Sequence, residues 1–418
     1  MTDSTESLPN HQLAPPTIAM GGGTFEVAAD GSGAPRRHPD WIKARIPSGE
    51  TYQEVRRLLH GLSLHTVCEE AHCPNVGECW DQRTATIMIL GDTCTRACGF
   101  CAVKTGKPVI HDLDEPRRVA EAIRGLGLEH VVVTSVARDD LDDGGAGIFA
   151  ETIQRLRVAC PGMGVEVLIP DFNGEEAPLR TVMAARPDIL NHNVETVARL
   201  QKPVRKRARY DRSLGVLERA KAYAREYAAA AEAGHGASAA GASAAGPGVA
   251  AAAGAVSPGI PEATAEASGS SIAVHTKSSI MVGLGETRPE LRQTFLDLRA
   301  VDCDILTIGL YLRPSPEHLP VERYYRPEEF AEMRTEALAL GFKHVESGPL
   351  VRSSYHARDQ VPDAEARRAA RALSAQRPDG AELSESAAAR SAEGSGGASA
   401  RSGPTVDSEG RVVYRSDG

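Results

Sequence analysis

From residue 84 onward the chain alternates short β-rich runs with helix-patterned stretches, and this alternation constrains the fold more than any other feature. The β-rich runs are 84–90 (TATIMIL), 130–135 (HVVVTS), 164–169 (GVEVLI), 188–193 (DILNHN), 273–284 (AVHTKSSIMVGL) and 304–310 (DILTIGL). Helical patterns lie between them at 115–126, 147–158, 176–186, 194–201, 212–227 and 288–301. Repeated strand–helix units imply a parallel sheet, because parallel neighbours need a crossover connection. Six units are too few for a closed eight-fold barrel, so the pattern predicts an α/β fold, a partial parallel (β/α)6 TIM-like barrel. A helix at 327–340 and a weak strand at 343–347 follow it. Chemistry in such barrels sits at the C-terminal ends of the strands. The polar segments fall there: CTRACGFC after the first run, TSVARDDLDDGGA after the second, then PDFNG, HNVET and GLGET.

The flanks are of another character. Residues 1–35 are polar and Gly/Pro-rich and are expected to be a disordered tail. A cysteine-bearing extension, 36–83 with a helix over 51–61, leads into the barrel at 84–345. The barrel is interrupted at 228–271 by a low-complexity Ala/Gly/Ser insertion with too few large apolar residues to fold. A segment carrying RSSY spans 346–363, and 364–418 repeats the dilute composition of the first tail. Hydrophobic content of 41% with 25% charged residues is that of a soluble globular chain. A net charge of −9 without a basic stripe argues against a nucleic-acid partner. The most apolar stretch, PGVAAAAGAV at 247–256, is too short and too small-sided to span a bilayer, so no membrane partner is expected. The N-terminus lacks a basic region followed by an apolar core, and a cytoplasmic location is expected.

Six of the eight cysteines lie between positions 68 and 101. Clustered thiols in a reducing compartment point to metal ligation rather than to a disulfide framework. They form two sets of three: Cys68, Cys73 and Cys79, spaced C-x4-C-x5-C, and Cys94, Cys98 and Cys101, spaced C-x3-C-x2-C. Zinc takes four ligands in a closed structural site, and a [4Fe–4S] cluster also ordinarily takes four cysteines. Each set is one ligand short. At the second set, an iron left open could receive a substrate or cofactor. The first set could be completed by Cys160, Cys303 or a non-cysteine ligand from afar. A zinc site or an electron-transfer cluster is the other reading there. Cys160 and Cys303 themselves read as buried small apolar residues.

The loop CTRACGFC resembles that of the radical S-adenosylmethionine enzymes. LHTVCEEAHCPNVGECW (64–80) and TATIMILGDTCTRACGFCAV (84–103) narrow the likeness to the lipoyl synthase family. So do VEVLIPDFNG (165–174), LNHNVETVARL (190–200), SIMVGLGET (279–287) and SGPLVRSSYHA (347–357). The resemblance runs from about 37 to 360, omitting the insertion. It implies two [4Fe–4S] clusters and S-adenosylmethionine, whose amino and carboxylate groups chelate the open iron at Cys94, Cys98 and Cys101. Electron transfer then yields a 5′-deoxyadenosyl radical. It implies two sulfur insertions, at C6 and C8 of a protein-bound octanoyl-lysine, with an auxiliary cluster on Cys68, Cys73 and Cys79 giving up its sulfur. The fourth ligand of that cluster is expected at Ser354 of Arg352-Ser353-Ser354-Tyr355, with Ser353 as the alternative. An alkoxide is a hard ligand on a soft site and suits a cluster meant to be dismantled. The implied partners are octanoylated carriers (the glycine cleavage H protein and the E2 lipoyl domains of 2-oxoacid dehydrogenases), an electron donor such as ferredoxin or flavodoxin, and an iron–sulfur cluster carrier. A related enzyme of other sulfur-insertion or maturation chemistry is the second reading.

Further residues are candidates for holding the cofactor. Phe100 sits inside the cysteine loop. Asp143, Gly144 and Gly145 end an acidic turn that reads either as a solvated loop or as a seat for the cofactor's amino group. Asn193 and Glu195 read as helix caps or ribose contacts. Arg205 and Lys277 read as solvated cations or as partners of a carboxylate. Ile148 stands where family members often carry histidine, and Leu310 and Arg313 where glutamine is common, so no role is carried over to these positions. Trp41 and Trp80 are expected to pack the extension against the barrel.

Overall fold

The computed structural model describes residues 17–20, 23–26, 39–44, 47–81, 84–109, 112–238, 274–360, 405–406 and 412–413. Its centre is an eight-stranded sheet. The strands are β1 (His65–Thr66), β2 (Thr86–Ile89), β3 (His130–Ser135), β4 (Gly164–Leu168), β5 (Ile189–Asn191), β6 (His275–Val282), β7 (Ile305–Leu310) and β8 (His344–Gly348). Their spatial order is their chain order, as serial crossovers dictate. β2 to β8 are parallel, and only β1 pairs antiparallel, His65 opposite Met88. Among the described residues β8 is not hydrogen-bonded to β1, so the barrel is open.

All seven expected strands are present, and β8 is the weak one at 343–347. The two-residue β1 is an addition, too short to show a pattern in sequence. The crossover helices α4 (Glu115–Leu126), α5 (Ala146–Ala159), α6 (Glu176–Ala184), α9 (Arg288–Ala300) and α10 (Pro327–Ala339) fall on their expected stretches, as does the earlier α1 (Glu50–Gly61). Glu115 of α4 is buried because its carboxylate accepts the Leu90 amide at 2.7 Å, fixing the end of β2. α9 begins at a capping box in which Thr287 and Glu290 satisfy each other's amides.

Two helices differ from expectation. In place of one helix at 194–201, the chain makes an irregular turn with Glu195 at φ 63°, then a 3-10 turn at Ala198–Leu200 and a short α7 (Gln201–Val204). The turn is held by Glu195 exchanging backbone hydrogen bonds with Ser279 and Met281, at 3.0 and 2.8 Å, so pairing with β6 overrides helix propensity. α8 (Tyr210–Ser238) continues into the stretch expected to open the insertion, which alanine favours. The rest of 228–271 lies outside the described residues.

Most of the tail at 1–35 also lies outside them. Within it, Thr17–Met20 and Gly23–Glu26 pair as a short antiparallel hairpin. The chain divides at Ser374, and in the second unit Thr405–Val406 pairs with Val412–Val413; the remainder of 364–418 is not among the described residues. Among them, no helix is long and apolar enough to cross a membrane.

Candidate functional site

The two cysteine sets stand on opposite flanks of β2. Cys94, Cys98 and Cys101 lie on the loop leaving its C-terminal end, all half-buried. The loop is tied down by backbone bonds rather than by regular structure. Cys94 N–H donates to Lys104 O at 2.8 Å, Gly99 N–H to Val204 O at 2.9 Å, and Leu319 N–H to Gly99 O at 3.0 Å. His318 Nε2 donates to the Cys101 carbonyl at 3.0 Å. Cys94 Sγ accepts from the Arg96 and Ala137 amides at 3.4 and 3.3 Å, which fixes where the sulfur points. Burial pushes the Cys98 thiol up to about 11 and the Cys101 thiol up to about 12.

Arg96, inside the loop, is the strongest anchor and was not singled out in the sequence. Its guanidinium is 6% exposed. Nε and Nη2 donate to Asp139 at 2.9 and 2.6 Å, Nη2 to Asn173 at 3.1 Å, and Nη1 lies 2.7 Å from Asp171. The loop leaving β2 is thereby bolted to the loops leaving β3 and β4. A cation two residues from a cysteine, facing acidic strand ends, was the available signal.

The other predicted cofactor residues separate into two groups. Asn193, Glu195 and Arg205 gather beside the cysteine loop. Asn193 Nδ2 donates to Glu195 Oε1 at 3.0 Å, and Asn193 Oδ1 is buried with no hydrogen-bond partner. Burial raises Glu195, opposed by Arg205. Cys98 feels both charges, Arg205 first. Arg205 is only 8% exposed and donates to Ser213 Oγ at 2.9 Å. It is therefore drawn inward from the basic run rather than left on a solvated face. Phe100 packs with Leu200, Val204, Leu284 and Tyr311 as an apolar wall.

Asp143, Gly144 and Gly145 form the second group. Asp143 accepts the Gly145 and Gly147 amides, each at 2.8 Å, on its two oxygens, and so caps α5. Gly145, at φ +88°, brings backbone so close to Leu90 that a Cβ would fall 2.2 Å from its Cδ1. Lys277 is wholly buried and paired with Glu166 at 2.9 Å. Arg313 closes its own loop by donating to the His318 and Pro316 carbonyls, and Leu310 is core.

On the other flank, Cys68 lies in α2 (Val67–Glu70), Cys73 just beyond it, and Cys79 in α3 (Val76–Asp81). Burial raises all three thiols, Cys68 to about 12; Cys73 further raises Cys68, and both raise Cys79. The three sulfurs therefore share one neighbourhood. Trp80 is fully buried behind them, stacked on Tyr52 at 5.1 Å, whereas Trp41 is 38% exposed and does not share that packing. The RSSY segment closes on this triplet from the far end of the chain. Asn75 Nδ2 donates to Leu350 O at 2.6 Å, and Thr86 Oγ1 donates to Ser354 Oγ at 2.8 Å. Arg352 and Cys73 interact electrostatically, and Tyr355 O–H reaches Glu78 at 3.4 Å. Among the described residues no three Cys, His, Asp or Glu side chains crowd tightly enough to hold a single metal ion. Cys160 and Cys303 lie at the ends of the helices that precede β4 and β7. Cys303 Sγ is buried against Ile305 O at 3.4 Å, and Cys160 caps the end of α5.

The radical SAM superfamily description matches residues 88–227. The N-terminal domain of lipoyl synthase matches residues 26–73. A lipoyl synthase of Rubrobacter xylanophilus is 51% identical over 326 residues, 78% of this chain and 87% of that protein. One from Symbiobacterium thermophilum is 52% identical over 343 residues, 82% and 92% of the two chains. Among solved structures, methylornithine synthase is similar at TM-score 0.39 and 12% identity, over 71% of this chain and 82% of that one; nothing is inferred from so distant a likeness. With about half of all residues shared along nearly the full length of such relatives, this chain belongs to the lipoyl synthase family of radical S-adenosylmethionine enzymes.

Proposed function

We infer that the chain converts octanoyl-lysine on a carrier protein into lipoyl-lysine by inserting sulfur at C6 and C8. The observation that carries this reading is the closure of the RSSY segment on the upstream cysteine triplet, with Ser354 seated through Thr86. When bound, S-adenosylmethionine and two [4Fe–4S] clusters supply the radical chemistry and the sulfur.

The chain's own residues bind, orient and shield. Cys94, Cys98 and Cys101 would hold one cluster beside the cofactor, and Cys68, Cys73, Cys79 and Ser354 would hold the auxiliary cluster. The chemistry of the donors fits, each set offering three soft thiols, the second completed by one hydroxyl. Asn193, Glu195 and Arg205 face the cysteine loop and present an amide oxygen, a carboxylate and a guanidinium to the cofactor's polar groups. The free Asn193 Oδ1 suits an ammonium or hydroxyl donor. Phe100 and its apolar neighbours exclude water from the same mouth. Asp143, Gly144 and Gly145 shape the turn that brings backbone close. The reductant is a low-potential donor of the ferredoxin or flavodoxin class, and a cluster carrier restores the auxiliary site.

The test is mass spectrometry of an octanoylated carrier after anaerobic turnover. Gain of two sulfurs is expected. Cleavage of S-adenosylmethionine with no sulfur gain would overturn the assignment. In a Ser354→Ala chain, lipoyl formation is expected to fail while uncoupled cofactor cleavage persists. Unchanged lipoyl yield there would remove Ser354 from the site.

A further inference from the structure

We propose that Thr86 is a positioning residue for the auxiliary cluster: its hydroxyl holds the Ser354 oxygen in place against the cysteine triplet. The proposal rests on the reading of Ser354 as a ligand. Thr86 is the first residue of β2 and is 3% exposed. It stands on a buried strand that pairs antiparallel with β1 on one side and parallel with β3 on the other, with Thr86 itself opposite Val132 of β3.

Its hydroxyl donates to Ser354 Oγ at 2.8 Å, and the Cys68 sulfur is within hydrogen-bonding reach of both its side chain and its backbone. One residue of the barrel therefore touches the last ligand and the first cysteine of the auxiliary set. Ser354 itself lies in a turn of the C-terminal segment and is only partly buried. Without a fixed partner, its hydroxyl would sample several rotamers. A donor on a strand selects one of them before the ligand is needed. Ser353, the alternative ligand, has no such contact with Thr86, so the same geometry favours Ser354.

The test uses the full-length chain carrying Cys94→Ala, Cys98→Ala and Cys101→Ala, reconstituted anaerobically so that iron resides in the auxiliary site alone. Release of iron to a ferrous chelator is followed by absorbance. Thr86→Val keeps the shape and β propensity but removes the hydroxyl, and is expected to speed release roughly three- to tenfold, the factor set by one ordinary hydrogen bond. Thr86→Ser is expected to release iron at the parent rate, which separates the hydroxyl from packing. In a Ser354→Ala background, release is fast and Thr86→Val is expected to add nothing. Equal acceleration by Thr86→Val with and without Ser354 would overturn the proposal, because Thr86 would then act through Cys68 or the fold. No acceleration at all would overturn it too. If Ser354→Ala alone released iron at the parent rate, the serine ligand itself would fall, a result distinct from failure of the Thr86 contact.

Discussion

Arg96→Met isolates what anchors the barrel's cysteine loop. In the native chain one guanidinium, 6% exposed, satisfies Asp139 through two hydrogen bonds and lies 2.7 Å from Asp171, whose side chain is fully buried. Breaking a buried pair by deleting one partner costs about 3–5 kcal/mol, because a carboxylate is left uncompensated. Here Arg207 remains 3.3 Å from Asp139 and Arg212 remains 3.2 Å from Asp171. The lower end, about 3 kcal/mol or a factor of roughly 150 in the folding constant, is therefore expected. Urea denaturation of the metal-free chain at neutral pH measures it. The acid side gives a second check. Burial pushes Asp171 and Asp139 up, but Arg96 outweighs it and holds both below the ordinary carboxylate value. That stability is complete above an unfolded value of about 3.9 and is lost as pH falls through the lower folded values. Without Arg96 the folded carboxylates titrate higher, so protonation relieves the variant. The gap between native and variant should narrow steadily as pH drops below about 5. A gap under about 1 kcal/mol at neutral pH, or one that widens in acid, would refute the reasoning.

Other substitutions probe different parts of the molecule. Gly309→Ala would set a Cβ 2.0 Å from the Val351 carbonyl, so the segment leading to Ser354 must shift. A cost of about 1–3 kcal/mol is expected, with auxiliary-site iron lost and barrel-site iron kept, checked by denaturation and by iron analysis of the reconstituted chain. Lys277→Met leaves Glu166 at 0% exposure with only His130, 3.8 Å away, as a possible cation. It should cost about 3–5 kcal/mol. Lys277→Met with Glu166→Leu should recover most of that, and a double-mutant cycle in urea reads the difference.

The barrel was legible because most strands are short β-rich runs bounded by helix-patterned stretches, so local pattern and global fold agree. The cysteine spacings were legible for a related reason, since ligands on one loop leave a local trace. Contacts made by topology leave none. The hydrogen bond from Thr86 to Ser354 spans 268 positions, and no window of sequence contains both. Arg205 read as one of several cations in a basic run, yet it alone is drawn in by Glu195 and Ser213. Glu195 read as a helix cap or a ribose contact; pairing with β6 holds it in a left-handed turn, so it caps no helix.

The distance between Asn75 and Leu350, 275 positions along the chain, also sets an order of assembly. At synthesis rates of about 5–20 residues per second, some tens of seconds separate the emergence of the triplet from that of its closing segment. On the reading of Ser354 as a ligand, three thiols sit during that interval on a nascent chain before the hydroxyl that would complete their set has been made. On that reading the auxiliary site is completed only after translation of the entire barrel, since residue 354 follows its last strand. A chain cut short anywhere before residue 354 would carry both cysteine sets but not the hydroxyl proposed to complete the first of them.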